Sequence, residues 1–463
     1  MIRLLNAYFP ARTLFLGISE ACLVTLAFVA ATIARLGAND ASLMLNYEQG
    51  FLKISVVAAM FIICMYYFDL YDSSILANHR EVITRVIQVL GTVCILLAVL
   101  YYVYPPLELG RGIFLIGFVL VAVLLLFWRR LFLKLNSLPQ FAERALILGD
   151  GELARSLKTE LKSRSELGIH LVGEIIADDW NGKPIPAGGS ERIEEFLHSV
   201  ESLRPNCVIV AMADRRGKLP VEALLQLKSQ GVRIRDGADM YEAVTGKVPI
   251  ESLRLSWLLF SPGFRVAGPL LIYERVFSLA LCAVSLVLTL PVMVLVALAI
   301  RCDSAGPIIF RQKRVGQNGK LFTLYKFRTM VDGADEDGNH RPAEETDNRF
   351  TRVGRVLRRI RIDELPQLFN ILRGDMHIVG PRPFVPNQEQ ECLEKIPYYR
   401  QRWVVRPGAT GWAQVNRGYN ATIEDNKEKL AYDLYYIKNI SIGLDLLILF
   451  KTMKILLLGR GSR

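Results

Sequence analysis

Long apolar runs constrain this chain more than any other feature. Residues 14–33, 52–67, 82–104 and 112–128 are nearly unbroken in Leu, Ile, Val, Ala and Phe, and residues 276–300 form a fifth run. A helix needs about 20 such residues to cross hydrocarbon, and inside a bilayer the backbone must satisfy its own hydrogen bonds. A hydrophobic content of 52% and a mean hydropathy of +0.28 agree with membrane segments. Arg3 and Arg12 precede the first run, the connector 39–48 carries only acids, His79, Arg80 and Arg85 precede the third, and Arg129, Arg130 and Lys134 follow the fourth. Cytoplasmic flanks carry the excess of Lys and Arg. The N-terminus and residue 130 are therefore expected in the cytoplasm, with four crossings between them.

The fifth run behaves differently. Arg265 and Arg275 lie before it, and Arg301, Arg311, Lys313 and Arg314 after it. Both ends call for the same side, and Pro291 stands beyond the midpoint, where it removes a helical hydrogen bond. The expectation is a re-entrant helix that enters the inner leaflet, breaks at Leu290-Pro291 and returns. Residues 440–458, rich in Leu and Ile with Asp445, Lys451 and Lys454 interspersed, suit an interfacial amphipathic helix.

Between the fourth and fifth runs the pattern turns to α/β. Strands are predicted near residues 145–148, 171–177, 207–211 and 232–234, with helices over 152–163, 192–200 and 221–230. That alternation predicts a doubly wound parallel sheet. Gly149-Asp150-Gly151 with Ala154 is half of a dinucleotide fingerprint, but no acidic residue ends a second strand, so a structural or oligomerising role outweighs nucleotide binding. The seven cysteines are scattered without C-x-x-C, which points to neither disulfides nor zinc. No cleavable signal pattern is expected at the start.

The chemistry-bearing residues follow. Arg349, Arg352, Arg355, Arg358, Arg359 and Arg361 run into the pair Asp363-Glu364, and a Gly380-Pro381-Arg382-Pro383 turn comes after a short apolar helix. Guanidinium groups bind phosphate in bidentate fashion. Adjacent carboxylates repel unless a cation or proton lies between them. Together they suggest Mg²⁺-assisted phosphoryl chemistry. Residues 310–316 and 324–330 add basic and aromatic side chains, among them Lys326 and Arg328, and Asp433 is a further carboxylate for a metal site. The formal charge of +11 fits anionic lipid at a membrane face; nucleic acid is not expected as a partner beside a membrane helix. No tyrosine has a lysine four residues later, which counts against an NAD-dependent dehydratase or epimerase. A non-catalytic scaffold for polysaccharide assembly remains the other alternative.

The segments FRQKRVGQNGKLFTLYKFRTM, DNRFTRVGRVLRRIRIDELPQLFNILRGDMHIVGPRP, RPGATGWAQVN and YDLYYIKNISIGLDL resemble the bacterial sugar transferase family, the polyprenyl-phosphate hexose-1-phosphate transferases. The whole chain is similar to the large members associated with exopolysaccharide and exosortase loci. The resemblance implies a membrane α-helical bundle of four transmembrane helices (residues 1–136), a Rossmann-like α/β domain (137–248), a linker (249–271), and an α+β monotopic catalytic domain with a re-entrant membrane helix (272–463). It further implies transfer of hexose-1-phosphate from a UDP-hexose, glucose or galactose, to undecaprenyl phosphate, with release of UMP. That is the first membrane step of exopolysaccharide, O-antigen or capsule synthesis, set in the bacterial inner membrane with the catalytic domain facing the cytoplasm. By the same resemblance Asp363 is the nucleophile, Glu364 with Asp433 binds Mg²⁺, and Pro381, Arg382 and Pro383 lie at the phosphate site, joined by Lys326, Arg328 and Arg361. Membrane lipids are expected partners, and the central domain suits a homodimer. The chain departs from the family pattern in three places: Glu274-Arg275 with Ser278 where Lys-Arg-x-x-Asp is usual, Leu290-Pro291 where Ser-Pro is common, and His377 where Ser is usual.

Overall fold

Among the described residues five helices are long and apolar enough to cross a membrane: α1 (Ala11–Leu36), α2 (Gly50–Tyr67), α3 (His79–Val103), α4 (Arg111–Asn136) and α5 (Gly268–Asp303). This is a computed structural model of the chain. It describes residues 1–463 except 5, 77–78, 137–141, 165–166, 176–189, 213–214, 216–218, 253–263, 265–267, 335–348, 419–421 and 459–463. Most of the linker expected over 249–271 lies outside the described residues. Two units emerge, Met1–Ile2 with Tyr8–Met240 and Arg3–Ala7 with Tyr241–Arg463.

In the first unit, α1 to α4 share a core that includes Val24, Phe28, Phe61, Val93 and Val121. Phe28 lies so close over Gly117 that a β-carbon there would come within 2.6 Å of its ring, so only glycine lets α1 approach α4. The opposite faces of these helices leave Ile18, Leu26, Ile95 and Leu115 exposed. Arg129, expected as a flanking charge, instead turns inward and is 2% exposed. Its Nε meets Glu20 Oε1 at 2.7 Å and its Nη1 donates to Leu70 O at 2.7 Å. Burial among helices selects such a pair because an unpaired charge there costs far more. The acidic connector is a short helix, Ala38–Tyr47.

Among the described residues the α/β region has four parallel strands: β1 (Glu143–Leu148), β2 (Ile169–Ile175), β3 (Cys207–Val210) and β4 (Arg233–Asp236), in the order β2-β1-β3-β4. The predicted helices appear at Glu152–Ser163, Ser190–Leu203 and Val221–Ser229. Gly149 has φ +131, and a β-carbon on it would sit 2.7 Å from the Ala211 carbonyl. The positive φ and the close approach both call for glycine at this position.

In the second unit, α5 leads to the antiparallel hairpin β5 (Ile309–Val315) and β6 (Leu321–Phe327). Helices α6 (Arg352–Arg359) and α7 (Gln367–Arg373) follow, then the parallel pair β7 (His377–Val379) and β8 (Gly408–Thr410), and finally α8 (Ile423–Asn439) and α9 (Ile442–Leu458). Met293, Val296 and Ile300 of α5 share a core with Phe327 and Leu357. Backbone helix continues through Pro291, so no non-helical residue marks the break expected there. What the proline removes is the donor to the Val287 carbonyl, while Thr289 Oγ1 donates to Ser285 O at 2.7 Å.

Candidate active site

Asp363 and Glu364 sit in a single 3₁₀ turn, Ile362–Glu364, between α6 and α7. Arg361, which opens that turn, has φ +61, a left-handed conformation that costs a non-glycine residue energy and gathers at functional sites. The turn is fixed from both sides. Thr351 caps α6 by accepting from Gly354 N at 2.9 Å, and a β-carbon on Gly354 would lie 2.0 Å from Thr329 O. On the α7 side, Asn370 is fully buried. Its Nδ2 donates to Thr323 O at 2.7 Å and its Oδ1 accepts from Tyr325 N at 3.0 Å. That clamp fastens β6 to α7 and so places Lys326 opposite the carboxylate pair.

Lys326 Nζ donates to Glu364 Oε1 at 2.7 Å, and Arg382 Nη2 donates to the same oxygen at 3.3 Å. Burial alone would raise the Glu364 pKa, but Lys326, Arg382 and Arg361 overcome it and hold the group well below the usual carboxylate range. Asp363 goes the other way: burial raises it, against the pull of Lys326, and the charge on Glu364 adds to the rise. Its Oδ1 is buried and makes no hydrogen bond. Two neighbouring carboxylates pushed apart in this manner are suited to different tasks.

The Gly380-Pro381-Arg382-Pro383 turn is built by two distant motifs. Gly380 N donates to Thr410 O at 2.8 Å and Gly408 N to Pro381 O at 2.9 Å. A β-carbon on Gly408 would come 2.1 Å from Gly380 N, so both glycines are needed for the backbones to touch. Arg314 Nη1 supports the turn by donating to Pro383 O at 3.1 Å. Arg402 holds it from beneath. Its Nη2 donates to Arg382 O at 2.8 Å and to Asp433 Oδ2 at 3.0 Å, and its Nη1 donates to the Tyr399 hydroxyl at 2.6 Å. Burial pushes Asp433 up to about 6, opposed by Arg402. Sequence reasoning missed Arg402 and Asn370. Arg402 stands among several arginines before the Arg406-Pro407-Gly408 motif, and nothing in composition marks the one that is buried.

The other expected site residues fall as follows. Arg328 is 4% exposed. Its Nη2 clasps Ser304 O and Oγ, each at 2.8 Å, while its Nε and Nη1 are buried without a partner. Arg352, Arg355, Arg358 and Arg359 are exposed on α6, and Arg361 is half-buried. Two of the departures from the family pattern meet in space: His377 Nδ1 lies 3.5 Å from Glu274 Oε2, and Ser278 Oγ accepts from Ile378 N at 3.2 Å.

Among the described residues no three His, Cys, Asp or Glu side chains converge as a metal cluster. Mg²⁺, however, takes one or two protein carboxylates and completes its shell with substrate phosphate and water. Lys326 and Arg382 both bond Glu364 through Oε1, which leaves its second oxygen as a donor of that kind, so the site fits a hard cation. Asp433 is engaged by Arg402.

Fold and site together define a membrane-associated protein that carries a cation-framed carboxylate pair on a small α+β unit, with a parallel-sheet α/β region ahead of it. The family model for bacterial sugar transferases matches residues 270–459, and one for a CoA-binding domain matches residues 66–236. The chain is 41% identical over 223 residues to the UDP-N-acetylgalactosamine-undecaprenyl-phosphate N-acetylgalactosaminephosphotransferase of Aeromonas hydrophila, covering 48% of this chain and 52% of that protein. It is 34% identical over 337 residues to the undecaprenyl-phosphate glucose phosphotransferase of Komagataeibacter xylinus, covering 70% and 60%. Against the UDP-glucose:undecaprenyl-phosphate glucose-1-phosphate transferase of Caulobacter vibrioides it is 44% identical over 187 residues, covering 40% and 69%. The chain thus spans between half and two thirds of the length of the first two of these relatives. It belongs to the bacterial sugar transferase family.

Proposed function

We propose that the protein transfers hexose-1-phosphate from a UDP-hexose to undecaprenyl phosphate and releases UMP. The observation that carries the reading is the buried, unpartnered Asp363 Oδ1 beside a Glu364 already bonded to Lys326 and Arg382. A carboxylate oxygen stripped of water and hydrogen bonds is a competent nucleophile when its charge is balanced nearby. Asp363 attacks the sugar-bearing phosphorus; the bond from that phosphorus to the UMP oxygen breaks, and UMP leaves with the electron pair. The phosphosugar stays on Asp363 as an acyl phosphate until an oxygen of undecaprenyl phosphate attacks the same phosphorus and frees the carboxylate. Lys326 and Arg382 balance charge on the phosphate oxygens, with Pro381 and Pro383 holding the turn rigid; Arg361 and Arg328 add positive charge around them. Mg²⁺, held by Glu364 and the substrate diphosphate, would supply electrostatic stabilisation of the leaving UMP. The engagement of Asp433 by Arg402 favours Glu364 over Asp433 as the protein's contribution to that ion.

One substrate is dissolved and the other is embedded, so the site belongs at a bilayer face. In this reading α1 to α4 cross the bacterial inner membrane and α5 dips into its cytoplasmic leaflet. Support comes from how α5 is tied down. Arg275 Nη1 donates to Ile371 O at 2.6 Å, and past the far end Ser304 is held by Arg328, while Val287 and Leu288 between them are 74% and 72% exposed. Membrane lipid would cover that middle stretch. UDP-glucose, UDP-galactose and their N-acetyl forms, given to the protein in nanodiscs with undecaprenyl phosphate, test the reading: one or more should release UMP with Mg²⁺ and none with EDTA. Absence of UMP from every UDP-sugar would overturn it and leave the scaffold alternative.

A further inference from the structure

His377 opens β7, is buried, and has a charged neighbour at each ring nitrogen. Arg406 Nη1 lies 3.2 Å from its Nε2. Glu274 Oε2, itself buried and without a hydrogen bond, lies 3.5 Å from its Nδ1. A guanidinium can only donate, so Nε2 accepts. The ring is then neutral, with its one proton on Nδ1 facing the carboxylate; the bond made by one ring nitrogen decides which carries the proton. Among the described residues only Glu274 and Arg406 bond or pair with this imidazole. Behind Glu274, Tyr436 donates to Asp445 Oδ1 at 3.0 Å and Tyr273 to Asp445 Oδ2 at 3.2 Å. Burial pushes Asp445 up to about 7, opposed by Tyr436. The remaining charges on the helices around β7 are turned to other partners: Arg275 of α5 to Ile371 O and Lys451 of α9 to Asn416 Oδ1.

We infer that His377 is a positioning residue for the Pro381-Arg382-Pro383 turn, acting through Arg406 as the neutral tautomer with its proton on Nδ1. The inference rests on the transfer reading above and adds a residue to its machinery. Arg406 is where the turn is seated: a β-carbon on Gly380, which opens the turn, would come 2.6 Å from Arg406 O. His377 holds the same segment a second time, its backbone N donating to Pro407 O at 2.9 Å. The turn in its place carries Arg382 to Glu364. A proton added at Nε2 sets an N–H against the guanidinium, donor against donor and positive charge against positive charge. The bond that holds Arg406 is then lost, and the seat of the turn loosens.

The test uses the full chain in nanodiscs with two variants. His377→Gln offers Arg406 an amide oxygen that does not titrate; His377→Leu offers it nothing. For each, kcat/KM for UMP release from the UDP-hexose that the unaltered protein uses best is followed from about pH 5 to about pH 8, the range in which imidazoles ordinarily change charge. The expected result is an acid limb shallower by one proton in His377→Gln, with near-unaltered activity at the alkaline end. His377→Leu should lose about tenfold there, as for one hydrogen bond. Asp363 and Asp445 are present in every protein compared, so the difference in steepness isolates His377. A His377→Gln limb as steep as that of the unaltered protein would overturn the inference, as would full activity in His377→Leu. The tautomer is read without turnover. The chain has 5 histidines, so a nitrogen NMR spectrum of protein labelled in histidine, compared with that of His377→Gln, resolves this ring. At the alkaline end it should carry its proton on Nδ1 and none on Nε2; the reverse would overturn the inference even if His377→Leu fails to fold. Absence of UMP from the unaltered protein at every pH is a failure of the transfer reading itself, seen before any variant is made. It would overturn the role in transfer, and the tautomer measured in the same protein would show that the fault does not lie in the His377 geometry.

Discussion

Asp363 and Glu364 are chain neighbours whose surroundings pull their acidities in opposite directions. The sign has two consequences. Asp363 has a folded pKa above its ordinary value, so its nucleophilic form appears only above that raised pKa. The acid limb of kcat/KM against pH should lie above the ordinary aspartate pKa of about 3.9; a limb at or below it would contradict this assignment. The same sign makes ionised Asp363 a cost to folding at neutral pH. Asp363→Asn should therefore unfold at a higher temperature than the unaltered protein while losing its activity, read by thermal unfolding in detergent. Glu364 is held low, so the stability it contributes is present above about pH 4.3 and lost as the pH falls below. The acidic pair, Lys326 and Arg382 were legible because each lies in a dense local motif. Which carboxylate would be starved of partners was not, since that depends on Lys326 and Arg382 both reaching one oxygen of Glu364.

At the scale of elements, the site is a set of short pieces clamped by a few buried polar groups and close backbone contacts. Asn370 bonds both sides of the Tyr325 peptide region through Thr323 O and Tyr325 N, so Asn370→Ala should destabilise the protein by about 2–3 kcal/mol and loosen Lys326; a shift under half of that in chemical denaturation would argue against the clamp. Gly408→Ala places a methyl against Gly380 N and should cost about 2–4 kcal/mol with loss of UMP release. The strands and helices of the α/β region were readable from alternation, and their bounds shift by only a few residues. The helix Ala38–Tyr47 was not, because its ten residues mix polar and apolar side chains without a long stripe. Continuous helix through Pro291 was also missed, since a proline forfeits one bond while the turns on either side keep theirs.

Taken whole, the chain joins membrane-length helices, a parallel sheet and a compact unit that holds every residue of the proposed chemistry. The family model matches residues 270–459, and Asp363, Lys326, Arg382 and Arg402 all lie within Tyr241–Arg463. A chain of residues 241–463 in nanodiscs should therefore still release UMP from a UDP-hexose; a folded but inactive piece would assign the first unit a direct part in the reaction. Burial of Arg129 on Glu20 could not be seen in a charge count that treats every arginine near a helix end as a flank. The central claim, that Asp363 carries the phosphosugar, is tested most directly without lipid. Protein incubated with Mg²⁺ and a UDP-hexose labelled in the sugar should release about one UMP per chain and retain the label covalently, released again by undecaprenyl phosphate, whereas Asp363→Asn retains none. Label retained equally by Asp363→Asn, or UMP released only once undecaprenyl phosphate is added, would contradict it.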